Sequence, residues 1–137
     1  MSTDATTDAI QTAADVMARR FVTAAPEDTL GELAEHLAAA DAGSALVVEF
    51  GRLTGILTSR DIVRAVADRV LPSEGTVREW MGEAPATAPP DLPIDDAARL
   101  MLQGGFHHLP VTEDERPVGV VGLRSVVSAL RRGFPGW

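Results

Sequence analysis

The chain repeats itself at a spacing of 64 residues. When Met17–Ala65 is laid over Met81–Ala129 without a gap, 12 of 49 positions are identical. Matched Ala and Val residues are expected by chance in a sequence this rich in both, but matched Met, Pro, Gly and Arg residues in one register are not. A duplication of this length is one supersecondary unit used twice. The sequence therefore predicts two similar halves in a pseudo-twofold arrangement. The most telling identical pairs are Met17/Met81, Pro26/Pro90, Arg52/Arg116, Gly55/Gly119 and Arg60/Arg124.

The length of 137 residues suits one domain. Each half alone, of roughly sixty residues, buries too little apolar surface to be secure, so we expect the halves to share a core. The apolar content of 45% supports a packed globule. We expect a flexible N-terminal tail over 1–12, the first repeat over 13–70, a linker over 71–76, the second repeat over 77–132 and a C-terminal tail over 133–137, with Phe134 and Trp137 in that tail.

Charge and residue usage exclude several classes of function. The net charge of −8 argues against general nucleic-acid binding, which depends on a basic face. All 12 basic residues are Arg, so there is no lysine for Schiff-base chemistry, and the lack of Cys removes disulfides, thiol catalysis and Cys-bound zinc. No apolar run approaches the length of a membrane span, and the N-terminus lacks the features of a secretory signal. These facts predict a cytoplasmic protein that does not enter a membrane.

Apolar periodicity and capping signals predict an α+β fold in which each half runs β-α-β-β-α. In the first half, Thr29-x-x-Glu32 is a capping box that opens a helix. In the second half, the corresponding helix starts at Pro93, followed by acidic residues that suit its first turn. Short helices are expected before each half, near 9–17 and at Thr76-x-x-Glu79. The remaining predicted elements are strands at 21–24, 44–49, 53–58, 86–88, 107–112 and 118–122, and helices at 29–40, 60–69 and 124–132.

The two halves differ most where a strand turns into the last helix. The first half has Thr58 and Asp61 there, and the second has Gly122 and Ser125. The first N–H groups of a helix lack partners and attract anions, a Thr hydroxyl can bond phosphate or sugar, and an Asp carboxylate can accept ribose hydroxyls. Thr-x-x-Asp is also close to a capping box that needs no ligand. Because the second half begins its helix without these groups, the contrast favours ligand binding in the first, and capping can coexist with it.

Several motifs together resemble a known family. Each half has a Met before a Thr-x-x-Pro segment and a Gly followed by two apolar residues before the last helix. The segments 43–48 and 107–111 are similar to the family's second strand, and 55–61 matches its G-h-x-[TS]-x-x-D signature. The chain thus resembles tandem CBS (cystathionine β-synthase) domains, a Bateman module of the stand-alone prokaryotic type. The resemblance covers about 13–132.

This resemblance implies a site for an adenosine-containing ligand such as AMP, ADP, ATP, S-adenosylmethionine or NAD, in a cleft between the copies. Many relatives carry Arg at the position of His108, where a mostly neutral His gives less attraction for polyphosphate. Adjacent histidines on a strand point to opposite faces, so we expect no metal site. The implied ligand residues are Ile56, Thr58, Arg60, Asp61, Ala84, Phe106, His107 and His108, and a weaker second cleft would use Arg19, Arg20, Gly43, Ser44, Val120 and Ser125.

The residues and the resemblance together predict a regulatory, ligand-sensing module with no catalytic residues and no required cofactor. We expect a homodimer, formed through the apolar surfaces of helices 60–69 and 124–132, that acts on an unknown protein target. The alternative is a constitutive dimerisation or interaction module without a bound ligand. An enzyme is the weakest hypothesis, because no nucleophile and base are paired by spacing.

Overall fold

The computed structural model describes residues 11–83 and 86–133. Helices and strands alternate along the chain, in agreement with the predicted α+β class. In chain order the elements are α1 (Ala13–Val16), β1 (Val22–Ala24), α2 (Leu30–Ala40), β2 (Ser44–Glu49), β3 (Arg52–Thr58), α3 (Ser59–Ala67), α4 (Val77–Trp80), β4 (Gly82–Glu83), α5 (Ile94–Gly104), β5 (His108–Glu113), β6 (Arg116–Gly122) and α6 (Leu123–Gly133).

One compact unit is built around the first half and consists of Arg20–Pro85 with Glu115–Pro117. Its sheet has the order β1-β2-β3-β4, in which β1 is parallel to β2 and the other neighbours are antiparallel. The apolar side of α2 packs on this sheet, and Leu33, Val47 and Leu57 are fully buried between them. Their burial supplies the hydrophobic stabilisation of this unit.

The fourth strand of this sheet comes from the start of the second sequence repeat. β4 pairs with β3 through Gly55↔Glu83 and Ile56↔Gly82. The preceding helix α4 places Val77, which is fully buried, in the same core. The leading segment of the second repeat therefore completes the sheet of the first.

The other compact unit consists of the described parts of Met1–Arg19, Ala86–Asp114 and Val118–Trp137. β5 pairs with β6, and single bridges extend this ladder on either side, parallel at Ala88↔Val111 and antiparallel at Ala18↔Val120. Ala13 of α1 is fully buried in its core. The bridge Ala18↔Val120 is the pairing Gly82↔Ile56 shifted by 64 residues, so the repeat in sequence is a repeat in contacts.

Most predicted elements are present, with ends shifted by one or two residues, but the helix predicted near 9–17 is limited to Ala13–Val16 and β4 was not predicted. The strand predicted at 86–88 is wrong as a strand and is reduced to the bridge at Ala88. Pro89 and Pro90 follow it and cannot donate backbone hydrogen bonds, which limits the ladder. Thr12, assigned to the N-terminal tail, closes a capping box on α1. Residues 1–10 and 134–137 of the predicted tails, including Phe134 and Trp137, lie outside the described residues.

Candidate functional site

The turn from β3 into α3 is closed by reciprocal hydrogen bonds between Thr58 and Asp61. The Thr58 backbone N–H donates to Asp61 Oδ2 at 2.8 Å, and the Asp61 N–H donates to Thr58 Oγ1 at 3.3 Å. The Thr58 hydroxyl also donates to Asp61 Oδ2 at 3.1 Å. Thr58 is the N-cap residue and has extended backbone angles, as a capping box requires. The local geometry is therefore that of a complete helix cap.

Asp61 keeps one oxygen that the cap does not use. Among the described residues, Oδ1 accepts from Arg64 Nη1 alone, at 3.4 Å, and the Arg64 side chain is 66% exposed while that of Asp61 is 16% exposed. An ion pair with one partner this exposed contributes little to stability, because its formation costs side-chain entropy and water screens it. Asp61 is thus a half-buried carboxylate whose orientation is fixed through Oδ2 and whose Oδ1 can accept a further hydrogen bond.

The same Thr-x-x-acid pattern caps other helices in the described part of the chain. Complete capping boxes pair Thr12 with Asp15, Thr29 with Glu32 and Thr76 with Glu79. The capping interpretation of Thr58 and Asp61 is therefore correct as local geometry. It leaves the ligand interpretation open, because the cap uses only one carboxylate oxygen of Asp61.

The corresponding turn in the second half carries none of these side-chain groups. Gly122 ends β6, and a methyl group placed on it would have open space within 4 Å. Ser125 is exposed in the first turn of α6, which contains no acidic residue. Val120 is 8% exposed in β6. The difference between the halves seen in the sequence is a difference in local structure.

Three predicted ligand residues lie together between α5 and β5. Phe106 is half-buried against the core of its unit, and its ring lies over Gly104. His107 is exposed, and its carbonyl accepts a hydrogen bond from the Leu123 N–H at 2.9 Å. His108 is half-buried, and burial lowers its pKa, with a smaller contribution from the charge of His107. His108 is therefore neutral at pH 7.

Two residues expected in the second cleft adjoin the Thr58 turn. Ser44 is buried and lies opposite Thr58 in the β2–β3 ladder. The carbonyl of Gly43 accepts hydrogen bonds from Ser59, at 3.0 Å from the backbone N–H and 3.4 Å from the hydroxyl. The sequence pattern gave no sign of this link between Gly43 and α3, because it depends on the register of β2 against β3.

The remaining predicted residues fall in different places. Ile56 is half-buried in β3 opposite Gly82, and Arg60, Arg19 and Arg20 are exposed. Ala84 lies outside the described residues. Of the two sets together, the compact unit around the first half contains Arg20, Gly43, Ser44, Ile56, Thr58, Arg60 and Asp61, and the other unit contains Arg19, Phe106, His107, His108, Val120 and Ser125.

Within residues 11–83 and 86–133, no cluster of three or more histidine and acidic side chains is arranged to hold a metal ion. No helix in that part of the chain is both long and apolar enough to cross a membrane.

The described elements and their repeat at 64 residues define a duplicated α+β module. The CBS domain family model matches the chain twice, over residues 13–68 and 77–132. The CBS domain-containing protein YhcV of Bacillus subtilis is 31% identical over 109 residues, which is 80% of this chain and 78% of that protein. The chain belongs to the CBS domain family.

Solved CBS domain pairs share this fold. The CBS domain pair of protein MJ0100, solved in complex with 5′-methylthioadenosine and S-adenosyl-L-methionine, has a TM-score of 0.81 and 30% identity, covering 90% of this chain and 98% of that one. CBS domain protein PAE2072 from Pyrobaculum aerophilum, complexed with AMP, has a TM-score of 0.78 and 26% identity, covering 84% of this chain and 89% of that one.

The chain spans less than two thirds of the length of some relatives. It spans 18% of the CBS domain-containing protein CBSCBSPB1 of Arabidopsis thaliana, with 38% identity over 97 residues. It spans 64% of an uncharacterized 17.7 kDa protein of Acidianus ambivalens, with 33% identity over 107 residues.

Proposed function

We propose that this chain is a regulatory module that binds an adenosine-containing metabolite and performs no chemistry of its own. The observation that carries the proposal is the Asp61 carboxylate, held by the cap through Oδ2 with Oδ1 left to accept a hydrogen bond. The related pairs in complex with 5′-methylthioadenosine and S-adenosyl-L-methionine, and with AMP, support the class of ligand. We also propose that the two repeats of this module span residues 13–70 and 77–132.

In this proposal Asp61 receives the hydroxyl groups of a ribose. The cap holds the carboxylate in place before the ligand arrives, so little side-chain entropy is lost on binding. Displacement of Arg64 from Oδ1 costs little, because Arg64 is largely exposed and its contact is long. The resemblance to CBS domain pairs adds Ile56, Arg60, Ala84, Phe106, His107 and His108 to this site.

The charges of the side chains that we propose for the site favour a ligand with few phosphates. The chain has no lysine, and His108 is neutral at pH 7, so each added phosphate gains little attraction from these side chains. We propose AMP-like or uncharged adenosyl ligands over ATP. We also propose one ligand per chain, because the second half lacks a counterpart of Thr58 and Asp61 and its Arg19, Arg20, Gly43, Ser44, Val120 and Ser125 would form at most a weaker site.

Separate measurements of capping and ligand binding test this proposal. Asp61→Ala removes a helix cap and the proposed ribose acceptor, whereas Glu32→Ala removes only the equivalent acidic group of the α2 capping box. Each variant should lose up to about 1 kcal/mol of stability without ligand, the usual contribution of an acidic group in the first turn of a helix. Ligand at a hundredfold its Kd stabilises a protein by about 2.7 kcal/mol, a shift of several degrees in Tm that Glu32→Ala should keep and Asp61→Ala should lose.

A panel of AMP, ADP, ATP, S-adenosylmethionine, 5′-methylthioadenosine and NAD identifies the ligand in the same thermal-shift experiment. If Asp61→Ala keeps the full response, Asp61 is only a cap. If Glu32→Ala and Asp61→Ala lose the response equally, the loss reflects general destabilisation and the assignment of the site is wrong.

The second candidate function is a constitutive dimerisation module without a ligand. The exposed valines of α3 favour it, because Val63 is 65% and Val66 is 54% exposed. Denaturation of the purified protein separates the two functions. Release of an adenosine compound supports the sensor, and a dimer that neither releases nor responds to any member of the panel supports the alternative.

A further inference from the structure

A groove of about 410 Å³ lies between α1 and α6. We propose that it binds a small phosphorylated ligand through Arg124 and Arg132. All of its lining residues lie in one compact unit, and none of them belongs to the Thr58–Asp61 turn. The lining residues are Asp15, Val16, Arg124, Ser125, Ser128 and Arg132.

The basic residues of the groove are set on one stripe of α6. Arg124, Ser128 and Arg132 are spaced by four residues, so they follow one another along the same face of the helix, and Ser125 lies beside them. Arg guanidinium groups present forked donors that match phosphate oxygens, and hydroxyl groups add further donors. This stripe therefore offers the donor groups that phosphate recognition uses.

A hydrogen bond between Ser128 and Arg132 orients the Arg132 side chain before a ligand binds. Arg132 Nη1 donates a hydrogen bond to Ser128 Oγ at 3.0 Å. Because the oxygen accepts this bond, the hydroxyl hydrogen of Ser128 remains available to donate to a bound anion. The contact also restrains a long side chain in the free protein, which lowers the entropy lost when a ligand binds. Arg132 is thus held on the groove wall before binding.

The groove carries positive charge in an acidic protein. Two Arg and one Asp line it, which leaves one net positive charge, against −8 for the whole chain. Asp15 is already engaged, because its Oδ2 accepts from the Thr12 N–H at 2.8 Å and from the Thr12 hydroxyl at 3.2 Å. Among the described residues, neither Arg124 nor Arg132 forms a salt bridge. Both guanidinium groups are therefore free of acidic partners in that part of the chain.

The first half keeps only part of this charge pattern, because Arg60 corresponds to Arg124 but Arg132 has no basic counterpart. A shift of 64 residues aligns Val16 with Trp80 and Ser128 with Arg64. Trp80 packs against the core of its unit, and Arg64 pairs with Asp61 at 3.4 Å. Asp68 stands where the second half has Arg132. The combination of Arg124, Ser128 and Arg132 without an acidic residue on the stripe therefore occurs in the second half and not in the first.

The size and lining indicate the class of ligand. A volume near 410 Å³ falls in the range of small-molecule sites, about 300–1,000 Å³, and exceeds what one phosphate ion needs. Among the described residues, Val16 is the one apolar side chain in the lining, and that part of the chain supplies no aromatic surface for a base. The groove therefore fits a phosphomonoester or diphosphate recognised through its phosphate oxygens. Only Ser125 is shared with the weaker second cleft expected above.

Titration of the full chain with inorganic pyrophosphate at constant ionic strength tests this inference. We expect saturable binding in a calorimeter, and a loss of about tenfold or more in Arg124→Gln and Arg132→Gln, since each removes a charge-assisted hydrogen bond. Arg131→Gln is the matched control, because it removes the same charge from the same helix at a residue outside the groove. It should change affinity by less than about twofold, because exposed charges contribute little through water and salt.

Ser128→Ala and Asp15→Asn complete the design. Ser128→Ala should weaken binding severalfold by releasing Arg132, and Asp15→Asn should strengthen it by removing the one negative charge. Non-saturable heat, or equal losses in Arg131→Gln and Arg132→Gln, would overturn the site and indicate general attraction to a basic helix. Failure here leaves the adenosine proposal intact, because 5′-methylthioadenosine carries no phosphate and Asp61→Ala should not alter pyrophosphate binding.

Discussion

Met81 lies so close to Gly55 that a methyl group on Gly55 would come within 2.8 Å of the Met81 sulfur. The carbonyl oxygen of Gly82 would be 2.7 Å from the same methyl group. The second half repeats this relationship, with the Met17 sulfur against Gly119. The matched Met and Gly residues of the sequence are therefore contact partners, and each Gly lets a following segment cross its strand closely.

Gly55→Ala should destabilise the protein by about 1–3 kcal/mol, the usual cost of overpacking a well-packed site. The nearest atom is a backbone oxygen, so β4 itself must move to accept the methyl group. Gly122→Ala is the control, because it meets no atom within 4 Å and should lower stability by no more than about 1 kcal/mol, the usual effect of Ala at a helix start. Urea denaturation measures both. Equal stability of the two variants would contradict the close crossing of β3 and β4.

Gly104→Ala should displace the ring of Phe106. Ala is usually favoured over Gly within a helix by about 1 kcal/mol, but here its methyl group would occupy the position of the ring. The corresponding residues of the first half are Ala40 and Ala42, where no ring is present. A double-mutant cycle with Phe106→Ala checks this, because Gly104→Ala should destabilise the native protein but stabilise the Phe106→Ala variant. Additive effects would show that the ring and Gly104 do not interact.

Acidification should destabilise the protein through His108. Burial lowers the pKa of His108 in the folded state, so the unfolded chain takes up a proton at higher pH than the folded protein does. The stabilising contribution is complete above the ordinary His pKa of about 6.5 and is lost as pH falls through the lowered value. Tm measured between pH 8 and pH 5 should fall less in His108→Gln than in the native protein, while His107→Gln should keep most of the dependence. Identical curves for all three proteins would exclude His108 as the source.

The protein should be a dimer in solution through the exposed apolar residues of its last helices. Val63 and Val66 of α3 are 65% and 54% exposed, and Val127 of α6 is 39% exposed. Val63→Glu should give a monomer, because it places a charge in an apolar contact. Leu102→Glu, at an α5 position that is 73% exposed, should remain dimeric. Light scattering decides the point, and a native protein with the mass of one chain would contradict the prediction.

Local signals predicted the elements well and the pairings between distant segments poorly. Ser44–Glu49 and the Thr29 capping box depend on neighbouring residues, and both are present as predicted. The exchange of β4 onto β3, and the link from Gly43 to Ser59, depend on tertiary register that no short pattern encodes.

The candidate site could be predicted from the sequence only in part, for a related reason. Thr58 and Asp61 form the same local arrangement whether or not a ligand binds, so sequence alone could not separate a cap from a site. Asp15 and Arg124 are more than a hundred residues apart in the chain, and their groove became visible only from the packing of α1 against α6.

The exchanged leading segments bear on how such a chain could arise. Residues 11–19 pack with the second half, and α4 and β4 pack with the first, so each compact unit contains a segment from the other sequence repeat. A single ancestral copy would therefore have needed to form a domain-swapped dimer, in which each molecule packs its leading helix against the other. Gene duplication and fusion would then have joined the two subunits of that dimer in one chain. The two copies could afterwards diverge in sequence while staying covalently linked.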